Sequence, residues 1–148
     1  MEVGQDLLAF TLLTLPGHDL ASARAARHHV RDMARSWSLP TGAADDLESI
    51  TAELVANALE HSDSRTLTVT CALTVGRVAV SVTDEGEARD GRTPIAPGAP
   101  RTPPPEHEHG RGLLITDSLA ARWGSRQSGE GLTVWAEVLA GASKDAAR

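Results

Sequence analysis

From Arg65 to Val82 the chain largely alternates apolar and polar residues, with Ala72 and Ala79 at polar positions and a turn at Gly76-Arg77. Leu67, Val69, Cys71, Leu73 and Val75 fall on one side, and Thr66, Thr68, Thr70 and Thr74 on the other. Gly76-Arg77 then turns the chain, after which Val78, Val80 and Val82 resume the period. Successive strand side chains point to opposite faces, so this pattern predicts a β-hairpin with one aliphatic face to bury. Aromatic residues make up only 3% of the 148 residues, which leaves the core to Leu, Val, Ile and Ala. A chain of this length suggests one domain over 1–148.

The flanking segments carry other periods. Leu7 to Leu15, followed by Pro16-Gly17, reads as an opening strand and turn. From about Asp19 to Trp37, Leu20, Ala23, Val30, Met33, Ala34 and Trp37 recur at helical spacing, and Arg24, Arg27, Arg31 and Arg35 read as a solvated face. Leu39-Pro40-Thr41-Gly42 breaks that helix, and a second is predicted from Ala43 to His61. Trp123–Gln127 and Leu132–Leu139, joined by Ser128-Gly129-Glu130-Gly131, read as a closing hairpin, and 141–148 as a frayed tail.

The second helix carries the first chemical signal. At about 100° per residue, Leu47, Ile50, Leu54 and Ala58 share an arc roughly 80° wide, with Asn57 about 20° outside it and Glu53 about 40° beyond. A carboxylate and an amide one turn apart therefore stand at the margin of a core, where polar groups are costly unless paired. An amide oxygen can ligate a hard cation and a partly desolvated carboxylate can take a proton from a hydroxyl, the pair that Mg²⁺-assisted phosphoryl chemistry needs. Hydrogen bonds from both side chains to neighbouring backbone would explain them equally well.

Composition narrows the alternatives. The net charge is −6, with no Lys/Arg-rich run, which argues against a direct nucleic-acid surface. It does not argue against a nucleotide, since backbone N–H groups and a metal hold phosphate without a basic surface. A single cysteine, Cys71, rules out an intramolecular disulfide and a cysteine metal cluster and fits a reducing compartment. No apolar run is long enough for a membrane span and no leader pattern opens the chain, so a cytoplasmic protein is expected.

Two further signals follow the hairpin. Asp84-Glu85-Gly86 places a short acidic side chain at a strand end, with a glycine against which a flat ligand could lie; an ordinary turn has the same residues. Residues 87–109 hold six of the eight prolines and no periodicity, which suggests a lid. His107-Glu108-His109 within it lacks the third ligand that a metal site requires. Gly110-Arg111-Gly112 then opens a helix expected over Leu113–Arg122, and free N–H groups at such a start favour phosphate.

Taken in order, Glu53-x-x-x-Asn57, Asp84-x-Gly86, a lid and Gly110-x-Gly112 resemble the histidine-kinase-like ATP-binding domain shared by gyrase-type topoisomerases, heat-shock chaperones and sensor histidine kinases. The wording ELVANALEHS, VTDEG and HGRGLLITDSLAARWG is most similar to the small stand-alone bacterial anti-sigma-factor serine/threonine kinases, with ASARAARHHVRDMARSW agreeing as the first helix. The resemblance implies an α+β two-layer sandwich of the Bergerat type, a mixed, mainly antiparallel sheet backing helices that hold ATP and Mg²⁺. It implies Glu53 as general base, Asn57 as Mg²⁺ ligand, Asp84 as acceptor for the adenine amino group and Gly86 against the ring. Gly110, Arg111 and Gly112 would line the phosphates, and Thr133 would stand beside the adenine-binding aspartate, although period two sets it opposite Leu132 and Val134. The implied partners are an anti-sigma-factor antagonist or a sigma factor, with homodimerisation through the sheet face or first helix. Gly86-Glu87-Ala88 departs from the family, which usually has a second glycine where Ala88 stands. A non-catalytic regulator, binding ATP or no nucleotide, is the alternative. A detached histidine kinase domain fits less well, because no phosphoacceptor helix precedes the first strand.

Overall fold

The computed structural model describes residues 7–62, 64–85, 110–128 and 131–140. Five strands form one sheet in the order β1-β2-β3-β5-β4: β1 (Ala9–Pro16), β2 (Thr66–Thr74), β3 (Arg77–Asp84), β4 (Arg122–Ser128) and β5 (Gly131–Leu139). Three helices, α1 (Ala21–Ser36), α2 (Thr41–His61) and α3 (Gly110–Leu119), complete the described elements. All four strand pairings are antiparallel, so the expected mixture contains no parallel pair among the described strands. The fold is the expected α+β arrangement of a sheet packed against helices.

The predicted hairpin is β2–β3, with Leu73 opposite Val78 and Leu67 opposite Asp84. Its turn sits one residue earlier than expected. Gly76 takes φ +79°, which glycine adopts without steric cost, and Val75 lies in the turn, 78% exposed, rather than on the buried face. Leu67, Val69, Cys71, Val78, Val80 and Val82 make the inner face of the sheet and are essentially inaccessible.

Helix α1 buries Ala26, Val30, Met33 and Ala34. Leu20 remains outside it and exposed, and Ser22 takes the buried first-turn position, its hydroxyl donating to the Pro16 carbonyl at 2.7 Å. The Asp19 carboxylate accepts from the Ala21 N–H at 2.9 Å. Arg24, Arg27 and Arg35 are solvated as expected, while Arg31 pairs with Glu48 of α2 at 3.1 Å.

Helix α2 begins at Thr41, two residues before the sequence suggested, because proline resists helix on its N-terminal side but not where it stands immediately outside the first turn. Its buried set adds Thr51 and Val55 to the predicted stripe, which widens the arc to about 160°. Contact with both neighbouring helices as well as the sheet accounts for that width: α1 and α3 flank α2, which lies over β3 and β5.

Helix α3 includes Gly110, Arg111 and Gly112 as its first turn instead of starting after them, and ends at Leu119. Arg122 belongs to β4. The Ala121 N–H donates to the Glu137 carbonyl at 2.8 Å, which commits the chain to the sheet, and the Trp123 indole N–H donates to Asp117 at 2.8 Å.

The outer face of the sheet bears no described element. Phe10 and Leu12 of edge strand β1 project there, and Leu8 lies just before the strand, each more than half exposed. At the opposite edge Glu137 accepts from both Arg77 and Arg122.

Candidate nucleotide site

Strand register gathers the candidate residues at one end of the sheet. Leu15, Leu67 and Asp84 lie side by side across β1, β2 and β3, and at the same end β4 finishes at Ser128 opposite Gly131, where β5 begins. Helix α2 feeds the start of β2 through 62–65, so its C-terminal turns approach that end. Two residues, Ala120 and Ala121, connect α3 to β4, which forces α3 to run antiparallel to that strand. The glycine-led start of α3 therefore faces the end that holds Asp84.

The lateral position follows from α2 itself. Glu48 reaches α1 through Arg31, and on a helix Asn57 projects about 180° from Glu48 and Glu53 about 140° from it. Both thus turn away from α1, toward the α3 side. Asn57 is 7% exposed and Glu53 half-buried. Among the described residues neither side chain has a hydrogen-bond partner, so neighbouring backbone does not account for them. An amide oxygen left in that state suits a hard cation whose remaining ligands are phosphate oxygens and water.

Asp84 is 2% exposed, and its Oδ1 accepts from the Leu132 N–H at 3.1 Å. A cross-strand amide thus orients the carboxylate, a contact that residue spacing alone cannot reveal. Gly131 lies closer still: a Cβ there would overlap the Asp84 carbonyl oxygen and stand 3.2 Å from the Glu85 Cα. On the far side of Asp84, Ser64 Oγ accepts from the Glu85 N–H at 2.8 Å and from the Ser62 hydroxyl at 2.7 Å. Ser62 closes the ELVANALEHS wording without a role of its own, and Ser64, between the predicted helix and strand, carried no sequence signal.

Thr133 is not brought to this group. It pairs in register with Thr83, and the two hydroxyls hydrogen-bond at 2.7 Å on the outer face, whereas Asp84 and Leu132 lie on the inner one. Gly86, Ala88, the lid at 87–109 and the His107-Glu108-His109 run lie outside the described residues, as does the tail at 141–148. Among the described residues no three His, Cys, Asp or Glu side chains gather as a metal cluster, and no helix is long and apolar enough to cross a membrane.

The histidine kinase-like ATPase domain family matches residues 18–138. The RsbU and RsbW domains of Rv1364c from Mycobacterium tuberculosis share the fold with a TM-score of 0.65 at 20% identity, over 89% of this chain and 32% of that one. The present chain thus spans about a third of the length of that solved protein. No curated protein matches in sequence. With residues 18–138 of its 148 matched, the chain belongs to the histidine kinase-like ATPase domain family.

Proposed function

We propose that the domain binds ATP with Mg²⁺ and transfers the γ-phosphoryl to a serine or threonine of a small regulatory protein, in the manner of an anti-sigma-factor kinase. The observation that carries this reading is the placement of Glu53 and Asn57, one turn apart and without described side-chain partners, on the α3 side of α2 at the end of the sheet that holds Asp84.

In this reading Asp84 accepts a hydrogen bond from the adenine amino group while the Leu132 N–H orients its Oδ1. Gly86 lies against the ring. Gly110, Arg111 and Gly112, at the start of α3, present unpaired N–H groups and the positive end of the helix dipole to the phosphates. Asn57 ligates Mg²⁺, which when bound offsets charge on the phosphate oxygens. Glu53 accepts the proton of the attacking hydroxyl. Most of the catalysis would come from positioning and charge stabilisation.

The protein partner would be an antagonist of the anti-sigma type, a sigma factor, or both, met in the cytoplasm. Leu8, Phe10 and Leu12 give the outer sheet face an apolar surface suited to a second copy of the chain. Incubation with γ-labelled ATP, Mg²⁺ and candidate partners tests the kinase reading: wild type labels a partner and Glu53→Ala does not. Equal labelling by both rejects it. Isothermal titration isolates the nucleotide step, and a wild type that binds ATP without labelling any partner leaves the non-catalytic switch.

A further inference from the structure

The stretch between α2 and β2 reads as a plain connection, yet its side chains reach across to the end of β3. Ser64 is 2% exposed. Its Oγ accepts from the Glu85 N–H at 2.8 Å and from the Ser62 hydroxyl at 2.7 Å, while the Ser64 N–H donates back to Ser62 Oγ at 3.0 Å. The Glu85 carboxylate in turn accepts from the backbone N–H of Thr66 at 3.2 Å and from the Thr66 hydroxyl. Glu85 is therefore gripped at both its backbone and its side chain by the segment that leaves α2.

That segment is itself fixed. The Gly17 N–H donates to the Arg65 carbonyl at 2.8 Å, and Gly17 packs so closely on Ser64 that a Cβ at position 17 would overlap the Ser64 carbonyl oxygen. Across the sheet Gly131 makes the equivalent close approach to the Asp84 carbonyl, and Leu132 holds the Asp84 carboxylate. Asp84 thus sits between a clamp on the β5 side and a clamp on the α2 side. The second holds the Glu85 backbone through the Ser64 hydroxyl and the Glu85 carboxylate through Thr66.

We propose that Ser64 is a positioning residue for base recognition: by holding the Glu85 N–H it fixes the backbone on which the Asp84 carboxylate meets the purine amino group. The inference rests on the nucleotide reading above. Ser64 touches neither base nor phosphate; it ties the helix carrying Glu53 and Asn57 to the strand carrying Asp84, so the phosphate and base ends of the site keep one spacing. Removing the hydroxyl loosens the Glu85 backbone on one side of Asp84 while leaving Glu53, Asn57 and the start of α3 in place. The loss should accordingly fall on the part of the affinity that the amino group supplies.

The test compares ATP with purine riboside triphosphate, which lacks the amino group, by isothermal titration on wild type and Ser64→Ala. Loss of one buried hydrogen bond corresponds to a weakening on the order of tenfold for ATP, with little change for the analogue, so the preference for ATP shrinks by that factor. An unchanged ATP affinity overturns the proposal, and so does an equal loss for both nucleotides, which marks general loosening. A wild type that binds neither nucleotide overturns the nucleotide reading itself, a result distinct from a wild type that binds and a variant that does not differ. Should Ser64→Ala fail to fold, amide exchange in the wild type decides. A protected Glu85 N–H supports the clamp, and exchange at the rate of an open loop overturns it.

Discussion

Gly131→Ala is the sharpest perturbation of the site that leaves every candidate ligand-contacting residue in place. The added Cβ would overlap the Asp84 carbonyl oxygen and meet the Asp84 carbonyl carbon at 2.8 Å and the Glu85 Cα at 3.2 Å. All three are backbone atoms, so no side chain can swing aside. Ordinary contact with the carbonyl oxygen requires the ends of β3 and β5 to part by roughly 1.5 Å, since carbon–oxygen contacts sit at about 3.3 Å or more. Overpacking of this kind costs about 1–3 kcal/mol. The same displacement stretches the Leu132 N–H bond to the Asp84 carboxylate, now 3.1 Å, and a hydrogen bond to a charged group contributes about 1.5–3 kcal/mol. Because one shift relieves the first cost by incurring the second, the sum is an upper bound, and a loss of about 2–5 kcal/mol is expected. For a chain of this size that lowers the thermal midpoint by roughly 6–15 °C. Urea denaturation followed by circular dichroism measures it, with Gly42→Ala as control, because a Cβ at Gly42 meets nothing within 4 Å. ATP affinity should fall alongside stability. A Gly131→Ala variant within about 0.5 kcal/mol of wild type would refute the close approach and with it the orientation of Asp84 by β5.

Other residues give independent checks. Thr51 is fully buried and its hydroxyl has no hydrogen-bond partner among the described residues, so Thr51→Val, which keeps the shape, should stabilise the protein by about 1 kcal/mol in the same denaturation assay. Burial pushes the Cys71 thiol up to about 11, with a hydrogen bond to Thr11 opposing only part of the rise. Iodoacetamide at pH 8 should thus modify Cys71 only as fast as the protein unfolds, and a rate matching a free thiol would contradict its burial. For Glu137, burial alone would raise the carboxyl, but hydrogen bonds and charge from Arg122 and Arg77 overcome it and hold the group below its ordinary value. A depressed carboxylate contributes stability that is present above the unfolded value and is lost as pH falls through the folded one. Wild type should therefore exceed Glu137→Gln in stability near neutrality, and the two curves should converge in acid below the folded value.

The elements legible in the sequence were those whose period one packing partner sets. The β2–β3 hairpin has one face on the helices and one open, so alternation from Leu67 to Val82 marks its buried face, while the turn and with it the pairing fall one residue earlier than Gly76-Arg77, because turn geometry outranks hydrophobicity at Val75. Helix α2 was read too narrowly, because Thr51 and Val55 are buried by neighbouring elements that no local period encodes. The glycines at 110 and 112 suggested a loop because glycine disfavours helix, yet first-turn residues lack intrahelical N–H partners and tolerate it. Within the site, Glu53, Asn57 and Asp84 were visible as polar residues at the margins of apolar patterns. The contacts of Ser64 and Leu132 were not, since each joins segments far apart in sequence through a backbone amide, and amides are the same at every position. Thr133 shows the converse: its residue type suggested a role beside Asp84, and the register with Thr83 sets it on the other face.

Asn57 allows the separation of what the fold needs from what the site needs. Its neighbours on the buried arc of α2 are Ile50, His61 and Leu54, and it is itself 7% exposed with no described partner for its amide. Holding an amide at a 7%-exposed position on an apolar arc carries a desolvation cost that an apolar side chain would not, which selection for stability alone would remove. Leucine has a similar shape and fits an apolar arc, so Asn57→Leu should raise the unfolding free energy by about 1–2 kcal/mol. The same change deletes the oxygen assigned to Mg²⁺, and titration with Mg²⁺ and ATP should show binding weakened by at least about tenfold, equivalent to the loss of one strong ligand contact. Opposite signs for stability and binding are the mark of a residue kept for its ligand. If Asn57→Leu were less stable than wild type, the amide would be serving the fold, and its assignment to the metal would lose its support.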